Sequence, residues 1–201
     1  MRFSTTLAAG LGLGVGLGFA LASVGAVAAQ STASLDFNND AVHLDYAYQP
    51  NPRAITFDAG LYNHRDHSSY RRYRDGQLYY AGAMVKDQMA NLRDVEFGLG
   101  GQIGYLDLKH VHGTFAGLSL QSKYNIPDAQ GLSVTVGGTY APSILTGSNL
   151  KNLWQARVEG GWQVVPQGEI FVGYRQIRVG VKHWDSISFE KGAYLGFRMS
   201  F

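Results

Sequence analysis

The chain has 201 residues, 26 of them glycine, 12 tyrosine and 10 phenylalanine, with 16% charged residues, a formal net charge of +2 and no cysteine. Without cysteine there is no disulfide scaffold, no thiolate zinc site, no thiol nucleophile and no lipid-modified cysteine anchor. The near-neutral balance argues against a general nucleic-acid binder, which carries a basic surplus, and an apolar content of 45% is too high for a disordered chain.

In chain order, the first segment reads as an export signal. Arg2 is the only charge before Asp36, an apolar stretch runs from Leu7 to about Val27, and Ala26-Val27-Ala28-Ala29 offers small residues for cleavage near Ala29. Gly10, Gly12, Gly14, Gly16 and Gly18 interrupt the stretch and no basic stop-transfer cluster follows it, which argues against a transmembrane helix. The expected division is a signal peptide over 1–29 and a single domain over 30–201.

From there the hydrophobic period is two, not 3.6. Strands are expected at 33–37, 41–49, 54–62, 77–86, 94–107, 114–125, 131–140, 152–164, 168–181 and 192–201. Val42, Leu44, Tyr46 and Tyr48 alternate with His43, Asp45 and Ala47; Trp154, Ala156, Val158 and Trp162 alternate with Gln155, Arg157, Glu159 and Gly161. Asn38-Asn39-Asp40 suits a tight turn. The 63–76, 141–151 and 182–191 connections are long and fall at one end; the 50–53, 126–130 and 165–167 turns are short and fall at the other.

A soluble sandwich or lipocalin-like barrel turns its apolar face inward, whereas an outer-membrane barrel turns it to lipid. The polar face here is rich in glycine, as close curvature in a narrow barrel requires. The apolar runs carry Tyr46, Tyr48, Tyr105, Tyr124, Tyr140 and Trp162 near their ends, as interfacial aromatic girdles do. The fold class is therefore all-β: an antiparallel transmembrane outer-membrane β-barrel. An even strand count makes it ten, with eight as the alternative should two weaker runs merge.

The final strand, Tyr194-Leu195-Gly196-Phe197-Arg198-Met199-Ser200-Phe201, resembles the C-terminal signal read by the outer-membrane assembly machinery, with Tyr194, Gly196, Met199 and Phe201 as its characteristic positions. The charges on the inward parity, Asp36, Asp45, Asp58, Glu96, Arg157, Glu159, Arg175 and Arg198, are expected to form a salt-bridge network in the lumen, because buried charges need partners. Glu159 and Arg175 are expected to pair across the Pro166 turn. The competing reading of the same residues is a selectivity-determining constriction.

The C-terminal half is similar to the YfaZ-type outer-membrane proteins. The likeness lies in Phe115-Ala116-Gly117-Leu118-Ser119-Leu120, Asn125-Ile126-Pro127, the Leu132–Gly138 segment, Tyr140-Ala141-Pro142, Val158-Glu159-Gly160-Gly161-Trp162, Val172-Gly173-Tyr174-Arg175 and Gly192-Ala193-Tyr194-Leu195-Gly196. The resemblance implies a small outer-membrane barrel and supplies no catalytic residues. Descriptions of such proteins as lipoproteins do not extend to a chain without cysteine.

The 63–75 segment is the most distinctive surface stretch. Arg65, Arg71, Arg72 and Arg74 are candidate contacts for lipopolysaccharide phosphates, which arginine binds bidentately. His67 and Ser69 match the His-x-Ser element of outer-membrane lipid A deacylases, but in a loop rather than on a strand, and the spacing is common by chance. His64 with His67, or His110 with His112, lacks a carboxylate at firm metal-site spacing. The sequence reading is thus a non-enzymatic, monomeric barrel of the outer membrane with a porin-like or membrane-structural role. Its expected partners are outer-membrane lipid, lipopolysaccharide and the assembly machinery; it needs no cofactor, metal or nucleic acid. A surface-binding barrel acting through the basic loop, or a lipid-modifying enzyme, are the alternatives.

Overall fold

The computed structural model describes residues 29–51, 55–65, 75–88, 94–109, 111–182 and 186–201. Ten strands follow in chain order: β1 (Gln30–Phe37), β2 (Ala41–Gln49), β3 (Thr56–His64), β4 (Gly76–Gln88), β5 (Val95–Leu108), β6 (Val111–Asn125), β7 (Leu132–Ala141), β8 (Leu150–Val165), β9 (Gly168–Val181) and β10 (Ile187–Ser200). Each pairs antiparallel with its chain neighbours, and β1 pairs with β10 to close the barrel. Reciprocal backbone bonds between Ser31 and Phe201, both 2.8 Å, seal the seam beside the terminus. Closure removes the sheet edge, which is what allows β-structure to sit in a medium that cannot hydrogen-bond backbone groups.

The alternation has the expected hand. Leu118, Ile103 and Leu99 face out and are 67%, 64% and 61% exposed. Tyr48, Tyr124 and Trp162 ring the outer wall near the termini end, with Tyr105 and Tyr140 near the other. Such a continuous apolar exterior is incompatible with water and is what hydrocarbon requires. The end with the short turns carries Gln30 and Phe201, as the periplasmic end of such barrels does.

Glycine does a specific job inside. Gly60 lies opposite Tyr80, Gly104 opposite Phe115, Gly173 opposite Tyr194 and Gly196 opposite Phe171. In each pair the inward glycine leaves a hollow that the facing aromatic ring covers. A β-carbon on Gly173 would stand 2.6 Å from Cζ of Tyr194 and 2.7 Å from the Val158 carbonyl oxygen. Gly173→Val is therefore expected to destabilise the barrel by about 1–3 kcal/mol through overpacking. Gly160→Val, on the outward parity with its nearest neighbour 4.0 Å away, should change stability far less; urea titration of the two variants makes the comparison.

The boundaries differ from the sequence reading in one instructive place. The 182–191 stretch is not a long loop: β10 begins at Ile187, and Ile187, Phe189 and Glu190 are buried. A register shift between Ser188 and Glu190 puts Phe189 and Glu190 both inside, so the period of two breaks there. The eight-strand alternative is excluded by the closed ten-strand order.

Candidate functional site in the barrel interior

The interior is stacked in three layers. At the loop end is an apolar layer built from Leu78, Leu106, Leu153, Ile177, Val179 and Phe189 with their neighbours, each of these six at 0–1% exposure. The alternation predicts a charged, glycine-rich lumen throughout. The strand tops on β4, β5 and β8–β10 instead turn leucine, isoleucine and valine inward, which removes water from that half of the barrel.

Below lies an ionic and aromatic layer centred on Arg175, which is 1% exposed. Its Nη2 donates to Asp36 Oδ1 (2.7 Å) and Nη1 to Asp36 Oδ2 (3.3 Å), while Nε and Nη2 donate to Glu190 Oε1 (3.1 and 3.0 Å). Asn38 Nδ2 also donates to Glu190 Oε1 (3.1 Å). The guanidinium carbon sits 4.6 Å from the Tyr62 ring centre and 4.2 Å from that of Tyr194, sandwiched as a cation between two aromatic faces. His43 stacks on Tyr62 with ring centres 3.8 Å apart. Its Nδ1 contacts Asp36 Oδ2 at 2.7 Å and its Nε2 contacts the Tyr80 hydroxyl at 2.9 Å; that hydroxyl donates to Asp45 Oδ2 (2.7 Å).

The third layer is a polar vestibule of about 260 Å³ toward the termini end, lined by Thr32, Glu96, Lys123, Thr135, Arg198 and Ser200 among others. Glu159 accepts from the Tyr194 hydroxyl (2.8 Å) and from Arg198 Nη2 (3.1 Å), with Arg157 Nε 3.7 Å away. Glu169 accepts from Arg198 Nη1 (3.0 Å) and Ser133 Oγ (3.0 Å) and lies 3.5 Å from Lys123 Nζ. Arg157 Nη2 donates to Gln121 Oε1 (2.9 Å). Asp58 lines an adjoining cavity of about 110 Å³ with Asp45, Lys86 and Arg157, and Glu96 stands opposite Lys123 across β5 and β6.

The eight inward charges are thus all placed inside, but one expected pairing is different. Glu159 does not meet Arg175. The register sets Arg157 opposite Arg175 and Glu159 opposite Gly173, so Arg175 reaches across to β1 and β10 while Glu159 serves Tyr194 and Arg198. Beyond the expected eight, the network takes in His43, Tyr80, Glu169 with its partner Lys123, and Glu190. All but Glu190 lie on the inward parity, so alternation alone placed them; Glu190 sits behind the bulge, where alternation carries no signal.

Of the other candidates, Met199 and Phe201 face out at 44% and 52% exposure, while Tyr194 is buried and Gly196 lies against Phe171. Arg65 is exposed at the top of β3; Arg71, Arg72, Arg74, His67, Ser69 and His110 lie outside the described residues. His64 is buried with its ring centre 5.4 Å from that of Phe189. Among the described residues no three metal-ligating side chains converge.

A closed antiparallel barrel with an apolar, girdled exterior and a charged interior defines an integral outer-membrane β-barrel protein. The chain belongs to the YfaZ precursor family, whose sequence pattern it matches over residues 11–201. It is also similar to a chain solved in work on the mechanism of in-meso crystallization of membrane proteins, at 12% identity and a TM-score of 0.45, covering 86% of this chain and 83% of that one. A loop-L8 deletion mutant of OmpT, an outer membrane protein of Vibrio cholerae, matches at 10% identity and a TM-score of 0.37, over 85% of this chain and 62% of that one. No curated protein matches the chain.

Proposed function

We propose that the protein is a closed, non-enzymatic barrel with a membrane-structural role, and not a pore. The observation that carries this reading is the filled interior: Arg175 with Asp36 and Glu190 blocks the middle of the lumen, and the apolar layer above it packs to near-zero exposure. A hydrated solute or ion crossing it would have to part a buried guanidinium from two carboxylates and then enter a dry layer, and both steps are costly. The charged groups of the vestibule largely engage one another, which leaves its Arg and Glu side chains as struts and not as a reactive set.

A porin-like role, the competing reading, draws its support from the vestibule alone. Planar-bilayer recordings separate the two. The refolded protein is expected to give no discrete conductance steps at any applied voltage the bilayer tolerates. Reproducible steps of uniform size would overturn the closed-barrel reading.

A further inference from the structure

The outer wall changes character near the loop end of one sector. On β10 the outward side chains are apolar from Met199 up to Ala193, and the next one out is Lys191. On β9 the apolar run ends at Tyr174 and gives way to Gln176 and Arg178; on β8 it ends at Trp154, with Lys151 exposed beyond it. A strand rising about 3.3 Å per residue and tilted about 40° climbs roughly 20 Å between Phe201 and Ala193, close to the roughly 25 Å of an outer-membrane apolar band. These cations therefore stand where hydrocarbon yields to the headgroups of the outer leaflet.

The register brings two of them together, while Lys151 stands at a bulge three residues beyond Trp154. Trp154 lies opposite Arg178, and Gln176 opposite Lys191, so Arg178 and Lys191 are diagonal neighbours on one face. Arg178 is oriented: its guanidinium carbon is 5.6 Å from the Trp154 ring centre. In the amide orientation that satisfies its contacts, the Gln176 oxygen accepts from Arg178 Nε (2.9 Å) and Nη2 (3.0 Å). That occupies two of five guanidinium donors and leaves three. No acidic side chain of the described residues faces out on these three strands, because Glu159, Glu169 and Glu190 point into the lumen. Arg178 and Lys191 are like charges on one face and repel one another unless an anion lies between them.

We propose that Lys151, Arg178 and Lys191 form a binding ledge for the phosphorylated headgroup of an outer-leaflet lipid. The guanidinium fork matches phosphate oxygens bidentately and the two ammonium groups add point charge. The acyl chains of the same molecule lie against the apolar wall below, beside Tyr174 and Val172. The ledge uses no residue of 63–75 and is independent of whether the lumen conducts.

The full chain, refolded in detergent, and the K151Q/R178Q/K191Q variant are compared by native mass spectrometry after titration with bisphosphorylated lipid A, with dephosphorylated lipid A and with inorganic phosphate. The native protein is expected to retain the bisphosphorylated lipid about tenfold better than the dephosphorylated one, and the variant to lose that preference. Inorganic phosphate should neither bind nor compete at equal concentration, since it lacks the apolar half of the contact. Equal retention of both lipids, an unchanged preference in the variant, or capture of inorganic phosphate alone would each overturn the proposal. A heat-modifiable gel shift checks that the variant folds. Should the triple variant fail to fold, Arg178→Lys supplies the test: it keeps the charge but loses the fork, and about a threefold weaker preference is expected; no weakening overturns the proposal.

Discussion

Replacing Arg175 with alanine is expected to destabilise the barrel by about 3–5 kcal/mol, read as a shift in the midpoint of urea unfolding in detergent or bilayer. The magnitude follows from what is left behind. Asp36 and Glu190, at 3% and 1% exposure, would face each other across a void without the guanidinium that they share, and the Tyr62 and Tyr194 rings would lose the cation between them. A triple variant, R175M/D36N/E190Q, removes all three charges together and should recover most of that loss, because a buried ion pair costs nearly as much to desolvate as it returns. A single Arg175→Ala variant as stable as the native barrel would mean that water fills the layer and screens the carboxylates. The filled-lumen reading would then fall with it.

Phe189→Ala is expected to cost about 3–5 kcal/mol, the range for truncating a buried aromatic to leave a cavity. Phe189 is 0% exposed in the apolar layer. The companion variant is Phe197→Ala, on the same strand but facing lipid at 46% exposure. There the acyl chains flow into the vacated space, and hydrocarbon is as apolar as the side chain it replaces, so the loss should be less than half as large. Equal losses from the two variants, measured in the same urea series, would show that the loop-end layer is not a packed core. Together the two experiments assign the barrel's rigidity to its interior and not to its outer wall.

Much of the architecture was legible from residue order. Period-two alternation, turn residues and strand parity are local properties, and they placed nine of the ten strands to within three residues at each end, β10 being the exception. They also assigned the lipid-facing and lumen-facing sides, since a strand's neighbours in sequence decide which way its side chains point. The same alternation put Asp36, His43, Glu159 and Arg175 on the inside. Where it failed, at Phe189 and Glu190, a bulge had added a residue to one strand, and such an insertion leaves no mark on composition.

Partnership inside the lumen was not legible, for a different reason. Asp36 and Arg175 are 139 positions apart and meet only because β1 closes on β10, so that strands at the two ends of the chain become neighbours. Which carboxylate an arginine finds then depends on stagger and diameter around the ring, quantities that no single strand encodes. The sequence by itself determined a ten-stranded barrel with charged residues inside and an apolar skin, because both follow from short-range periodicity. Only the tertiary structure decided that the interior is layered, that its outer half is dry, and that Arg175 belongs to Asp36 and Glu190, because each of these depends on what closure brings face to face.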